Sequence, residues 1–103
     1  MTDPVLNMLG LCARARKLVT GEKAVVQAIR AGGCFAAVLD GGAAKNAEKA
    51  VSQACESHGV PLVRTAPLAM GSAIGKPGRM AAAVTDARMA ARIVELSQAS
   101  RGQ

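Results

Sequence analysis

Cys34-Phe35-Ala36-Ala37-Val38-Leu39 is an unbroken apolar run between Gly32-Gly33 and Asp40-Gly41-Gly42. A run of that length, closed at both ends by turn residues, is a strand with apolar side chains on both faces. Such a strand fits a sheet that carries helices on each side. The flanking segments supply them. Before the run, Ala24, Val25, Ala28, Ile29 and Gly32 form one helical stripe. After it, Ala43, Ala44, Ala47, Ala50, Val51, Ala54 and Cys55 face inward, with Lys45, Glu48, Lys49, Gln53 and Glu56 outward.

The remaining segments continue the alternation. Asp3-Pro4 is a helix start, because the residue before proline is pushed out of the helical region and proline suits the first helical position. Leu6, Leu9, Gly10 and Ala13 follow on one face, with Gly10 allowing close approach of a neighbour. Leu18-Val19 makes a very short strand, and Thr20 is expected to cap the next helix, with Glu22 near its positive end. His58-Gly59 closes the long helix. Val60 to Arg64 is a strand, Pro67 to Ile74 a short helix, Met80 to Thr85 a strand, and Asp86 caps a last helix to about Leu96. The expected fold is α/β, a three-layer α/β/α sandwich on a small mixed sheet of about four short strands. The 22 alanines thin its layers. Residues 1–97 form one domain and 98–103 a flexible tail.

One domain is what 103 residues allow, with a core that needs no disulfide or metal. Cys12, Cys34 and Cys55 form no Cys-x-x-Cys pair and read as buried free thiols. Met1-Thr-Asp-Pro has neither the basic nor the apolar region of a signal peptide, and no apolar run approaches the roughly 20 residues of a membrane span. The expected address is the cytoplasm, with no membrane partner.

Enzymatic readings find little support. The single histidine, His58, sits at a helix end where imidazole meets terminal carbonyls. Asp3, Asp40 and Asp86 fall at turns or caps, and Glu22, Glu48, Glu56 and Glu95 at outward or terminal helix positions, so no carboxylate pair emerges. No serine or cysteine has a sequence-supported base. Gly71-Ser-Ala-Ile-Gly75-Lys76-Pro77 is one residue short of a phosphate loop and has proline where magnesium would need a hydroxyl. No cofactor or metal is implied.

Charge points elsewhere. The chain carries a net charge of +6, which favours polyanionic partners. Phe35 is its only aromatic residue, so stacking platforms for splayed bases are ruled out. Any nucleic acid would be held by phosphate contacts, backbone groups and shape. The basic cluster Arg14, Arg16 and Lys17 is by itself an ordinary solvated helix end. The Thr20-Gly21 turn after it shifts the balance, because a helix start presents unpaired N–H groups to a phosphate, and Lys23 adds to that field. Lys76 and Arg79 bring two more cations in a turn before the last strand.

At these residues the chain resembles a known family. Leu9-Gly10-Leu11, Lys17-Leu18-Val19-Thr20-Gly21-Glu22 and Ala28-Ile29-Arg30-Ala31-Gly32 closely resemble the bacterial YlxQ-like proteins, of the superfamily of kink-turn-binding ribosomal proteins. The similarity continues through Gly59-Val60-Pro61-Leu62-Val63, Ala73-Ile74-Gly75-Lys76 and Ala83-Val84-Thr85-Asp86, and so covers nearly the whole chain. The resemblance implies an α/β/α sandwich that binds structured RNA, ribosomal or other non-coding, at one edge. Carried over, that edge is Gly21 to Gln27, Asp40 to Lys45 and Lys76 to Met80. With the charge cluster, the expected contacts are Arg14, Arg16, Lys17, Thr20, Gly21, Glu22, Lys23, Gln27, Lys45, Lys76, Arg79 and Met80. Some bacterial relatives are fused behind another small RNA-binding domain, so the ribosome or such a neighbour is a further expected partner, and the chain itself a monomer.

Two departures accompany the resemblance. Kink-turn binders carry Gly-x-Asn-Glu-x-x-Lys in the second helix, where Asn and Glu read sheared G·A pairs. Here Gly21, Lys23, Ala24 and Gln27 take those positions. Base-edge readout is removed while positive charge stays. Arg16 stands where relatives usually have a helix-ending glycine, at a cost of roughly 1 kcal/mol if the position is left-handed. The function expected is thus non-enzymatic docking of structured RNA in ribosome- or translation-linked work. A protein-interaction adaptor on the same fold is the alternative, and a small-ligand α/β domain a weaker third.

Overall fold

The computed structural model describes residues 3–101. Its elements are α1 (Pro4–Arg14), β1 (Leu18–Thr20), α2 (Glu22–Arg30), β2 (Ala36–Asp40), α3 (Lys45–His58), β3 (Leu62–Thr65), α4 (Ala69–Ile74), β4 (Ala81–Val84) and α5 (Ala87–Arg101). The four strands form one mixed sheet in the order β1-β4-β2-β3. β2 pairs parallel with β3, and β4 runs antiparallel to both β1 and β2.

Every residue of β2 and β4 is buried, so their period-two alternation feeds two separate cores. Ala36, Val38, Ala82 and Val84 face α1, α4 and α5, against Leu9, Cys12, Met70 and Ile93. Ala37, Leu39, Ala81 and Ala83 face α2 and α3, against Val25, Ile29, Val51 and Cys55. This is the expected three-layer sandwich. Alanine dominates the central strands, and the small side chain draws the helices close to the sheet. Gly10 does the same between helices, since a β-carbon there would stand 3.0 Å from the Ala73 carbonyl oxygen of α4.

Most helix ends follow their sequence signals. Asp3 accepts from the Val5 N–H at 2.9 Å and places Pro4 in the first turn. Asp86 accepts from the Met89 N–H at 2.9 Å. His58 Nδ1 lies 3.1 Å from the Ala54 carbonyl oxygen, and Gly59 ends α3 in the left-handed region. The three cysteines are buried free thiols.

Several boundaries move. β3 begins at Leu62 because the Val60 N–H completes the end of α3 on the Cys55 carbonyl. α4 begins at Ala69 because Leu68 takes a left-handed conformation as its N-cap. α5 continues to Arg101, so residues 98–101 of the expected tail are helical and its last two residues lie outside those described.

Candidate nucleic-acid interface

The antiparallel pairing of β4 gathers one end of the sheet into a shared surface. The Gly21 N–H donates to Ala81, and the Asp40 N–H donates to the Met80 carbonyl at 2.8 Å. The Gly41 N–H donates to Thr65. The segments at Gly21, Met80, Asp40 and Thr65 therefore stand side by side. From this end α2, α3 and α4 each leave with their N-termini, so their partial positive charges converge.

The start of α2 differs from the sequence expectation. Thr20 does not cap the helix; it pairs with Ala82 as the last residue of β1. Gly21 is the N-cap, with φ 100° and ψ 141° and no side-chain cap hydrogen bond. The chain leaves the strand and enters the helix across this single residue, a geometry L side chains resist. A β-carbon at Gly21 would also stand 3.2 Å from Arg79 Nη1. The absent side chain thus leaves room for the guanidinium against the helix start, and Arg79 is brought from a loop far away in sequence.

Glu22, Lys23 and Gln27 are exposed on the first turns of α2, and Lys45 is exposed at the start of α3, whose N-cap Ala44 has no side-chain oxygen to accept from the first-turn N–H groups. Lys76 is exposed and Met80 half-buried at the two ends of the α4–β4 loop. The ion pairs among the described residues join Arg64 to Glu48 and Arg92 to Glu95, and they leave the cations of this surface to solvent.

Asp40 organises the surface from beneath, a role its reading as a simple turn residue missed. It is 2% exposed and accepts from the N–H groups of Leu68 at 2.6 Å, Gly42 at 2.7 Å and Met70 at 3.0 Å, and from the Thr65 hydroxyl at 3.4 Å. Burial would raise its pKa, but the N–H donations of Met70, Gly42 and Leu68 and the Thr65 hydroxyl outweigh burial and hold it below the ordinary carboxylate range. One carboxylate thereby caps α4 and ties the β2–α3 loop to the β3–α4 loop. It also explains Leu68, which is 70% exposed with φ 65°. The sequence sign was an acid at the end of a fully apolar strand, where only a satisfied carboxylate is tolerable.

Not every expected contact residue comes to this surface. Lys17 sits at the other end of β1, where its carbonyl accepts from the Thr85 N–H. From there to Gly21 is about 13 Å at the rise of a strand. Arg16, one residue earlier, has φ 59°, the left-handed conformation expected for a glycine position. The length of β1 therefore separates Lys17 from the Gly21 turn. Arg14 remains on the near side and lines, with Thr20 and Lys76, a cavity of about 390 Å³ between α1, β1 and α4.

Comparison with known proteins places this geometry. Residues 3–94 match the family described as ribosomal protein L7Ae/L30e/S12e/Gadd45. The chain is 37% identical over 90 residues to the RNA-binding protein YlxQ of Bacillus subtilis, covering 86% of this chain and 90% of that protein. Among solved structures, a Bacillus halodurans protein of unknown function superposes with a TM-score of 0.90 at 33% identity, over 94% of this chain and 99% of that one. The Giardia lamblia 15.5kD RNA binding protein shares the fold, with a TM-score of 0.76 at 19% identity over 96% of this chain and 86% of that one. The chain belongs to the ribosomal protein L7Ae/L30e/S12e/Gadd45 family and is YlxQ-like within it.

Proposed function

We propose that the protein is a non-enzymatic RNA-binding protein that docks structured RNA on the surface formed by Gly21 to Gln27, Asp40 to Lys45 and Lys76 to Met80, in cytoplasmic, translation-linked work. The observation that carries the reading is the seating of Arg79 at Gly21, which brings the α4–β4 loop and the α2 start into one cationic surface. Lys23, Lys45, Lys76 and Arg79 neutralise phosphates there, and the uncapped N–H groups of α2 donate to them. Arg16 and Lys17, at the far end of β1, stand outside this contact surface.

Affinity on such a surface comes from backbone recognition, with little base readout. Lys23, Ala24 and Gln27 supply none of the base-edge contacts of the Asn, Glu and Lys expected for kink-turns, so we propose low discrimination between kinked and plain duplex RNA. An amide-shift titration with structured RNA tests the reading. Shifts at Thr20 to Lys23 and Lys76 to Met80 support it. Unmoved amides at those positions would leave the fold as a protein-interaction adaptor.

A further inference from the structure

The cavity between α1, β1 and α4 lies around the outer edge of β1 from the proposed interface. Leu18 and Thr20, two residues apart, point to this side of the sheet, while Val19 packs with the opposite core. Two cations line the cavity, Arg14 and Lys76, together with the hydroxyls of Thr20 and Ser72. No carboxylate does. The Arg14 guanidinium lies across Gly10, with Nη1 3.5 Å from where a β-carbon would stand. The carbonyl ends of α4, which would repel an anion, are partly engaged already: Gly71 accepts from Lys76 and Ser72 from Gly75. A volume of about 390 Å³ falls at the small end of ligand sites.

Resting on the interface reading above, we propose that this cavity is a subsite for one unpaired ribonucleotide flanking the structured part of the RNA. Its phosphate sits between Arg14 and Lys76, and its ribose hydroxyls meet Thr20 and Ser72. Lys76 opens the loop that ends at the interface, and Thr20 directly precedes Gly21, so a strand leaving the docked surface runs straight into the cavity. With no aromatic wall, the grip is on phosphate and sugar and is independent of base identity.

The test uses two hairpin RNAs, identical except that one ends blunt and the other carries a short single-stranded overhang, with anisotropy as the readout. The overhang is expected to tighten binding about tenfold, the scale of a charge-assisted contact. Arg14→Gln abolishes that gain, whereas Lys23→Gln weakens both hairpins by the same factor. Ser72→Leu, at an exposed position on the cavity rim, provides a second loss of the gain without touching a charge. No gain from the overhang, or a gain that survives both cavity variants, overturns the subsite and leaves the interface standing. Binding of neither hairpin overturns both. Adenosine monophosphate shifting the amides of Gly10, Thr20 and Ser72 while the overhang adds nothing would overturn the assignment to RNA.

Discussion

Asp40→Asn tests the device that holds the proposed interface together. The wild-type carboxylate accepts from three backbone N–H groups and one hydroxyl. Asparagine keeps the shape but offers one accepting oxygen, and its NH₂ group must face a donor, here the Met70 N–H or the pair from Gly42 and Leu68. A buried donor left without an acceptor costs about 1–3 kcal/mol, and the surviving bonds lose charge assistance worth about 1 kcal/mol each. The expected loss is about 3 kcal/mol, a large share of the 5–15 kcal/mol typical of a domain, and roughly 12–24 °C in Tm at this chain length. Urea unfolding measures it, with hydrogen exchange at the Gly42, Leu68 and Met70 amides reporting the loops directly. The acid limb supplies a second reading. Because the folded pKa lies below the ordinary value of 3.8, the unfolded chain binds more protons near that pH, so stability is full above 3.8 and falls as pH drops through the folded pKa. Asp40→Asn should flatten that limb. A variant within 0.5 kcal/mol of wild type, with all three amides still protected, would refute the reasoning.

Other perturbations follow from single positions. Arg16→Gly relieves a left-handed arginine and should stabilise the protein by about 1 kcal/mol while leaving RNA affinity unchanged, read by denaturant midpoint and anisotropy. Lys23→Asn, Ala24→Glu and Gln27→Lys together should raise the preference for a kink-turn RNA over a plain duplex, measured by competition; an unchanged ratio would mean a different docking geometry. Burial pushes the Cys12 and Cys34 thiols up to about 11, with Asp86 adding to the rise at Cys12 and Cys55 to that at Cys34. A thiol reagent at pH 8 should therefore modify the folded protein only at the rate of opening, and fast labelling of either thiol in native conditions would contradict their burial.

What was legible in the sequence is what short-range chemistry decides. The apolar run gave β2, the alanine period gave α3, and Asp3, Asp86 and Gly59 marked ends through bonds to residues a few positions away. The failures are non-local or backbone-specific. Thr20 is a good cap in isolation, but pairing with Ala82 keeps it in the strand and passes the N-cap to Gly21. No local pattern shows that Asp40 collects N–H groups some 30 residues away or that Arg79 comes to rest against Gly21. The basic cluster looked continuous with the Gly21 turn because only three residues separate Lys17 from Gly21; extended as a strand, those residues carry the two to opposite ends of the sheet. The resemblance suggested the edge, and tertiary packing decides which cations share it.

The central claim is that phosphate contacts from Lys23, Lys45, Lys76 and Arg79 carry RNA binding. The salt dependence of the affinity for a structured RNA tests it most directly. Contacts from four cations predict a log–log slope of about −3.6, and Arg79→Gln should reduce its magnitude by about one unit. A slope near zero, or one that Arg79→Gln and Lys23→Gln leave unchanged, would contradict the account.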